Sequence, residues 1–119
     1  MKKIGIIGSR RRDTEKDYKL VEEQFCKIYN MGDTIVSGGC PKGGDRFAEL
    51  IAKRTGVSIK IFPADWEKYG RGAGFIRNTD IARESDILIA CVSQDRTGGT
   101  EDTIRKFLKD KDKKYLYLV

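Results

Sequence analysis

The sequence predicts an α/β fold: one Rossmann-like, three-layer domain over residues 1–119, built on a five-stranded, mainly parallel sheet of order 3-2-1-4-5 with helices on both faces. Three observations predict it. Short apolar runs alternate along the chain with amphipathic stretches of helical period. Lys3–Gly8 (KIGIIG) and Asp86–Val92 are almost continuously apolar, as strands covered on both faces must be. Glycine clusters follow directly on several of these runs, where a parallel sheet delivers the chain to its carboxyl edge.

Lys3–Gly8 is the first strand. The next segment, Glu15–Asn30, places Tyr18, Val21, Phe25 and Ile28 at helical spacing with Lys and Glu between them. Thr34–Ser37 is the second strand. Asp45–Thr55 is the second helix, with Phe47, Ala48, Ile51 and Ala52 on one face, Asp45 as its N-cap and Gly56 as its stop. Ser58–Phe62 makes a third strand, closed by Pro63, and Ala64–Gly74 is a long connection before a helix over Phe75–Glu84. Asp86–Val92, the most apolar strand, belongs at the centre of the sheet. Thr100–Lys109 is the last helix, with Ile104, Phe107 and Leu108 inward, and Tyr115–Val119 is the closing strand.

Composition excludes several function classes. Apolar residues make up 39% of the chain and charged residues 35%, but the apolar ones arrive in blocks, which argues against extended disorder. No apolar run approaches membrane-spanning length, and Ile4–Ile7 is too short for a signal-peptide core, so a cytoplasmic protein without a membrane partner is expected. There is no histidine, which removes His-based nucleophile systems, His-containing zinc sites and histidine pH switches. Cys26, Cys40 and Cys91 offer neither a CxxC pair nor a disulfide framework; no metal site is expected, and Cys26 and Cys91 read as small core residues. The net charge of +6 suits an anionic partner. The alternating KDKDKK stretch near the C-terminus reads as a solvated helix end.

Four loops at the predicted strand ends carry the candidate site. Gly8-Ser9-Arg10 follows the first strand; it lacks the dinucleotide fingerprint, and reads either as an ordinary turn or as a seat for phosphate or ribose. Ser37–Arg46 holds Gly38, Gly39, Gly43 and Gly44 around Lys42. Its amides can approach an anion closely, while Asp45 would repel a phosphate and is better suited to ribose hydroxyls. Pro63–Asn78 carries Asp65, Trp66, Arg77 and Asn78; Trp66 either stacks on a base or lids the core. Gly98, Gly99 and Thr100 open the last helix as an anion seat, and Glu101 and Asp102 either serve the helix dipole or face a ribose.

GSR after the first strand, VSGGCPKGGDRFAELIAKRTG, FPADWEKYGRGAGFIRNTDIARESDILIACV and TGGTEDTIRKF together resemble the SLOG superfamily, which links the DNA-processing protein DprA to the Lonely-guy phosphoribohydrolases. The likeness is closest to its small YspA-like branch, with the pattern SGGxxxGxDR, PADWxxxGxxAGxxRN and a late GGT. The resemblance implies a nucleotide or nucleotide-derived ligand over the strand ends, at Gly8, Ser9, Arg10, Gly38, Gly39, Gly43, Asp45, Arg46, Asp65, Trp66, Arg77, Asn78, Gly98, Gly99 and Thr100. It also implies an enzymatic alternative, cleavage of nucleoside monophosphates, with Arg77 matching the family's arginine. Thr103 then stands where the family's glutamate belongs, so a catalytic carboxylate would have to come from Glu101 or Asp102. Binding or sensing of the ligand is therefore the leading expectation, with Arg10, Lys42, Arg46 and Arg77 on phosphate and no further cofactor required. Single-stranded DNA binding is a third, less favoured one, and relatives' habits imply a homodimer or higher homo-oligomer.

Overall fold

A computed structural model describes all 119 residues. Five strands, β1 (Lys3–Gly8), β2 (Thr34–Ser37), β3 (Ile59–Ile61), β4 (Ile87–Cys91) and β5 (Leu116–Leu118), form one sheet of order β3-β2-β1-β4-β5 in which every pairing is parallel. Helices α1 (Glu15–Ile28), α2 (Gly44–Thr55), α3 (Trp66–Tyr69), α4 (Ala73–Glu84) and α5 (Gly99–Asp110) supply the connections.

The period of two along each strand divides the core. Ile4, Ile6, Ile35, Ile89 and Cys91 point to one face, where they pack with Tyr18, Val21 and Phe25 of α1 and Phe47, Ala48 and Ile51 of α2. Ile7, Val36, Leu88 and Ala90 point to the other, against Ile81 and Ala82 of α4 and Ile104 and Phe107 of α5. The central strands are thus buried on both sides, which is why β1 and β4 read as unbroken apolar runs. No helix is long and apolar enough to cross a membrane.

Several local expectations are corrected. Asp45 is not the cap of α2: the helix begins at Gly44, its N-cap is Gly43 at φ 72°, and no side chain of its own segment bonds its first amides. Asp45 instead sits inside the first turn and is buried. Cys26 is exposed, because the inward stripe of α1 runs through Tyr18, Val21 and Phe25 and the next residue turns about 100° away. Cys91 is buried as expected. Leu108 is 40% exposed, one step beyond the inward Phe107. The 64–74 connection is not structureless: Asp65 caps α3 by accepting from the Lys68 amide at 3.1 Å, a 3-10 turn covers Gly70–Gly72, and α4 begins at Ala73.

Candidate functional site

In this strand order β1 lies between β2 and β4, so the chain winds one way from β1 to β2 and the other way across to β4. The carboxyl ends of β1 and β4 therefore splay their loops apart and leave a crevice at the switch. A cavity of about 300 Å³ opens there. Ile7 to Arg11 form one wall, Cys40 and Asp45 a second, Arg77, Asn78 and Ile81 of α4 a third, and Thr97 to Thr100 with Thr103 the fourth.

Glycines bring the walls together. A Cβ at Gly44 would fall 2.1 Å from the Ile7 carbonyl carbon and 2.2 Å from the Gly8 nitrogen, so only a glycine lets α2 start this close to β1. At Gly38 a Cβ would meet Arg77 Nη1 at 2.7 Å and Asp45 Oδ2 at 2.8 Å. The Gly38 carbonyl accepts from Arg77 Nη1 at 2.9 Å. Arg77 Nε donates to Asn78 Oδ1 at 3.2 Å, and Asn78 Nδ2 donates onward to the Gly99 carbonyl and to Asp102 Oδ2. This chain of bonds ties the end of β2, through α4, to the start of α5.

Two helix N-termini meet the site, and they differ. At α2 the Gly43 amide already donates to Asp13 Oδ1 at 2.7 Å, and Arg46 Nε donates to the same oxygen at 2.8 Å. These two bonds, the Gly43 amide first, hold the Asp13 carboxyl below its ordinary range. A carboxylate of the protein itself thus stands at the start of α2, bonded to the amide of its N-cap residue. At α5 the N-cap is Gly98, no side chain caps the helix, and Gly98, Gly99 and Thr100 line the cavity.

The cavity's three arginines are likewise unequal. Arg11 is held in a fork by Asp95, with Nη1 and Nη2 at 2.8 and 2.7 Å from the two carboxylate oxygens, and Nη2 also donates to Thr97 Oγ1. Arg77 is tied to Gly38 and Asn78 as above. Arg10 makes no ion pair or side-chain hydrogen bond. Asp45 is the one carboxylate in the lining and is only 9% exposed. Burial pushes its carboxyl above the ordinary range, against the pull of the Cys40 amide and the Arg77 charge.

Of the residues singled out in the sequence, Gly8, Ser9, Arg10, Asp45, Arg77, Asn78, Gly98, Gly99 and Thr100 line the cavity. Gly38 lies directly behind Arg77 and Asp45. The structure does not bring Gly39, Lys42, Gly43, Arg46, Asp65 or Trp66 into the lining. Arg46 turns to Asp13, Asp65 is spent on capping α3, and Trp66 is 58% exposed with its ring edge against Gly74. Glu101 is forked to Arg96, and Asp102 accepts from Asn78 and Lys106; neither lines the cavity, whereas Thr103 does. Sequence reasoning missed Arg11, Cys40, Thr97 and the two isoleucines. Cys40 and Thr97 lie within loops the sequence marked, and Arg11 adjoins Arg10 in a run of three arginines, whereas Ile7 and Ile81 carried no signal.

The solved structure of the molybdenum cofactor binding protein from the phototrophic bacterium Rippkaea orientalis shares this fold at a TM-score of 0.73, over 98% of this chain and 75% of that one, with 22% sequence identity. No curated protein matches the chain in sequence. A family model described as YAcAr: YspA, cpYpsA-related SLOG family matches residues 6–69, more than half of the chain. That match runs from within β1, through the glycine loop that lets α2 meet β1, to the end of α3, and the chain belongs to the YspA, cpYpsA-related SLOG family.

Proposed function

We propose that the protein binds a small phosphorylated ligand of nucleotide or nucleotide-derived type in the cavity at the β1/β4 switch. One observation carries the reading: the unpaired Arg10 guanidinium shares the cavity with the uncapped N-terminus of α5. A phosphate placed there gains the free amides, the positive end of the helix dipole and a guanidinium with no competing carboxylate. The cavity volume of about 300 Å³ lies at the lower end of ligand pockets and fits a ligand of mononucleotide size. Family membership, and a structural neighbour named for binding a cofactor, accord with small-ligand binding in general.

The hydrolytic alternative finds less support. Leaving-group departure from a ribose needs a carboxylate near the developing positive charge; Glu101 and Asp102, the two offered by the sequence, are engaged outside the lining, which leaves only the buried Asp45 to serve. Single-stranded DNA binding also lacks its usual stacking residues at the site, since Trp66, Tyr69 and Phe75 are exposed elsewhere.

Thermal-shift measurements with nucleoside mono- and diphosphates, NAD and cyclic dinucleotides test the reading. At a hundredfold excess over Kd a ligand adds about 2.7 kcal/mol of stability, a shift of several degrees. Stabilisation by a phosphorylated ligand, lost in Arg10→Ala, is expected. No stabilisation by any of them overturns the proposal.

A further inference from the structure

We propose that Asp95 is a built-in rival of the ligand: it holds the Arg11 guanidinium in a clasp between two walls of the cavity, and a bound phosphate takes that guanidinium over. This rests on the phosphate-binding reading above and adds an internal contact that weakens binding until it is exchanged.

The clasp joins the loops that the switch splays apart. Arg11 belongs to the loop after β1 and Asp95 to the loop after β4. Arg11 lines the cavity, yet both its terminal nitrogens are engaged by a carboxylate that does not. Arg10, beside it in the same lining, has no such partner. One of two adjacent guanidiniums is therefore open and the other is covered by an anion of the protein. A guanidinium fork takes a carboxylate or a phosphate in the same two-pronged geometry, so the two anions compete for one seat.

Exchange costs little and leaves the loop standing. The Arg11 side chain is 58% exposed and that of Asp95 53%, an ion pair that water screens. When Arg11 leaves, Asp95 keeps two partners: Ser93 Oγ and Thr97 Oγ1 each donate to Oδ1 at 2.9 Å. The loop has a further brace. Arg96 stands at φ 54°, left-handed backbone that a residue with a side chain seldom adopts, and its guanidinium is forked to Glu101 of α5. Neither brace involves Arg11. Bonds from Arg11 first, then from Ser93 and Thr97, hold the Asp95 carboxyl below its ordinary range, so it competes as a full anion at neutral pH.

Asp95→Asn removes the rival charge while its amide oxygen still accepts from both hydroxyls. The test is isothermal titration of wild type, Asp95→Asn, Arg11→Gln and the double variant at about 0.15 M salt, which screens distant charges. The probes are inorganic phosphate and adenosine 5′-mono- and diphosphate. Asp95→Asn should bind them about fivefold more tightly than the wild type. In the Arg11→Gln background the same change should bring less than about twofold, because no guanidinium is left to release. Asp95→Asn should also melt within about two degrees of the wild type, as expected for an exposed pair.

Unchanged or weaker binding by Asp95→Asn overturns the inference, because the clasp is then a support of the loop. A gain of equal size without Arg11 overturns it as well, since it reflects only the removal of a repelling charge. So does an Asp95→Asn protein that melts many degrees lower, in which opening the clasp would cost the fold. If a probe binds the wild type and Asp95→Asn brings no gain, only this inference falls. If none of the three binds either protein, the phosphate reading falls and takes this one with it.

Discussion

Asp45 shows how little a single residue's type says without its burial. In the sequence it is an aspartate at the start of a helix, and the cheapest explanation is a cap. In the structure Gly43 takes the cap position and the carboxylate is carried inside, where water no longer solvates it. Burial raises its folded-state pKa, so the folded protein holds that proton more tightly than the unfolded chain does. The sign follows: below the unfolded pKa the carboxyl is protonated in both states and costs nothing. The destabilisation appears as pH rises through the folded pKa and is complete above it. Asp45→Asn keeps the shape and the acceptor for the Cys40 amide but removes the charge. Urea denaturation should find the variant more stable at pH 7, on the order of 1 kcal/mol, with the difference vanishing in acid. A variant less stable at pH 7 would show that the charge is compensated within the fold.

At the scale of elements, what could be read in the sequence was whatever rests on local periodicity. β1 and β2 were expected over the residues they occupy, and the inward stripes of α1, α2 and α5 differ from expectation mainly at Cys26 and Leu108. Partnerships between distant elements were hidden. Asp13 lies between β1 and α1, yet it is the residue that satisfies the start of α2, thirty positions away, through Gly43 and Arg46. Arg11 and Asp95 are 84 positions apart. For that reason Lys42 and Arg46 looked like phosphate ligands, while the helix start that lines the cavity without a side-chain cap is that of α5. Asp13→Ala should therefore behave as the loss of a distant helix cap. About 1 kcal/mol is expected from urea denaturation, at the lower end of the capping range because the pair is partly exposed. Inorganic phosphate affinity should be unchanged. A gain in phosphate binding would mean that the emptied α2 terminus is itself an anion seat.

For the molecule as a whole, the fold class and strand order were legible because parallel winding leaves few arrangements open, and that same winding put nine of the singled-out residues around one crevice. The balance of charge was not legible in the same way. A net charge of +6 says nothing about which carboxylates the fold has committed. Asp33 is such a group: burial raises its pKa, but bonds from Lys2 Nζ, the Lys2 amide and the Asn30 amide outweigh burial and hold the carboxyl below its ordinary value of 3.8. Asp17 is depressed in the same sense, its burial outweighed by Thr14 and Arg12, and Asp13 by Gly43 and Arg46. A carboxylate whose folded pKa is depressed contributes stability that is present above the unfolded pKa and is lost as pH falls through the folded one. With no histidine to charge at milder pH, acid unfolding should begin only as the pH drops below about 4, sharpened by the growing positive charge. Urea midpoints measured from pH 7 to pH 2 should stay high and then fall steeply. Asp33→Asn, which cuts the clasp between the start of β1 and the turn before β2, should lower the midpoint at pH 7 and flatten the acid limb. A midpoint that already declines between pH 7 and pH 5 would place the controlling titration elsewhere in the molecule.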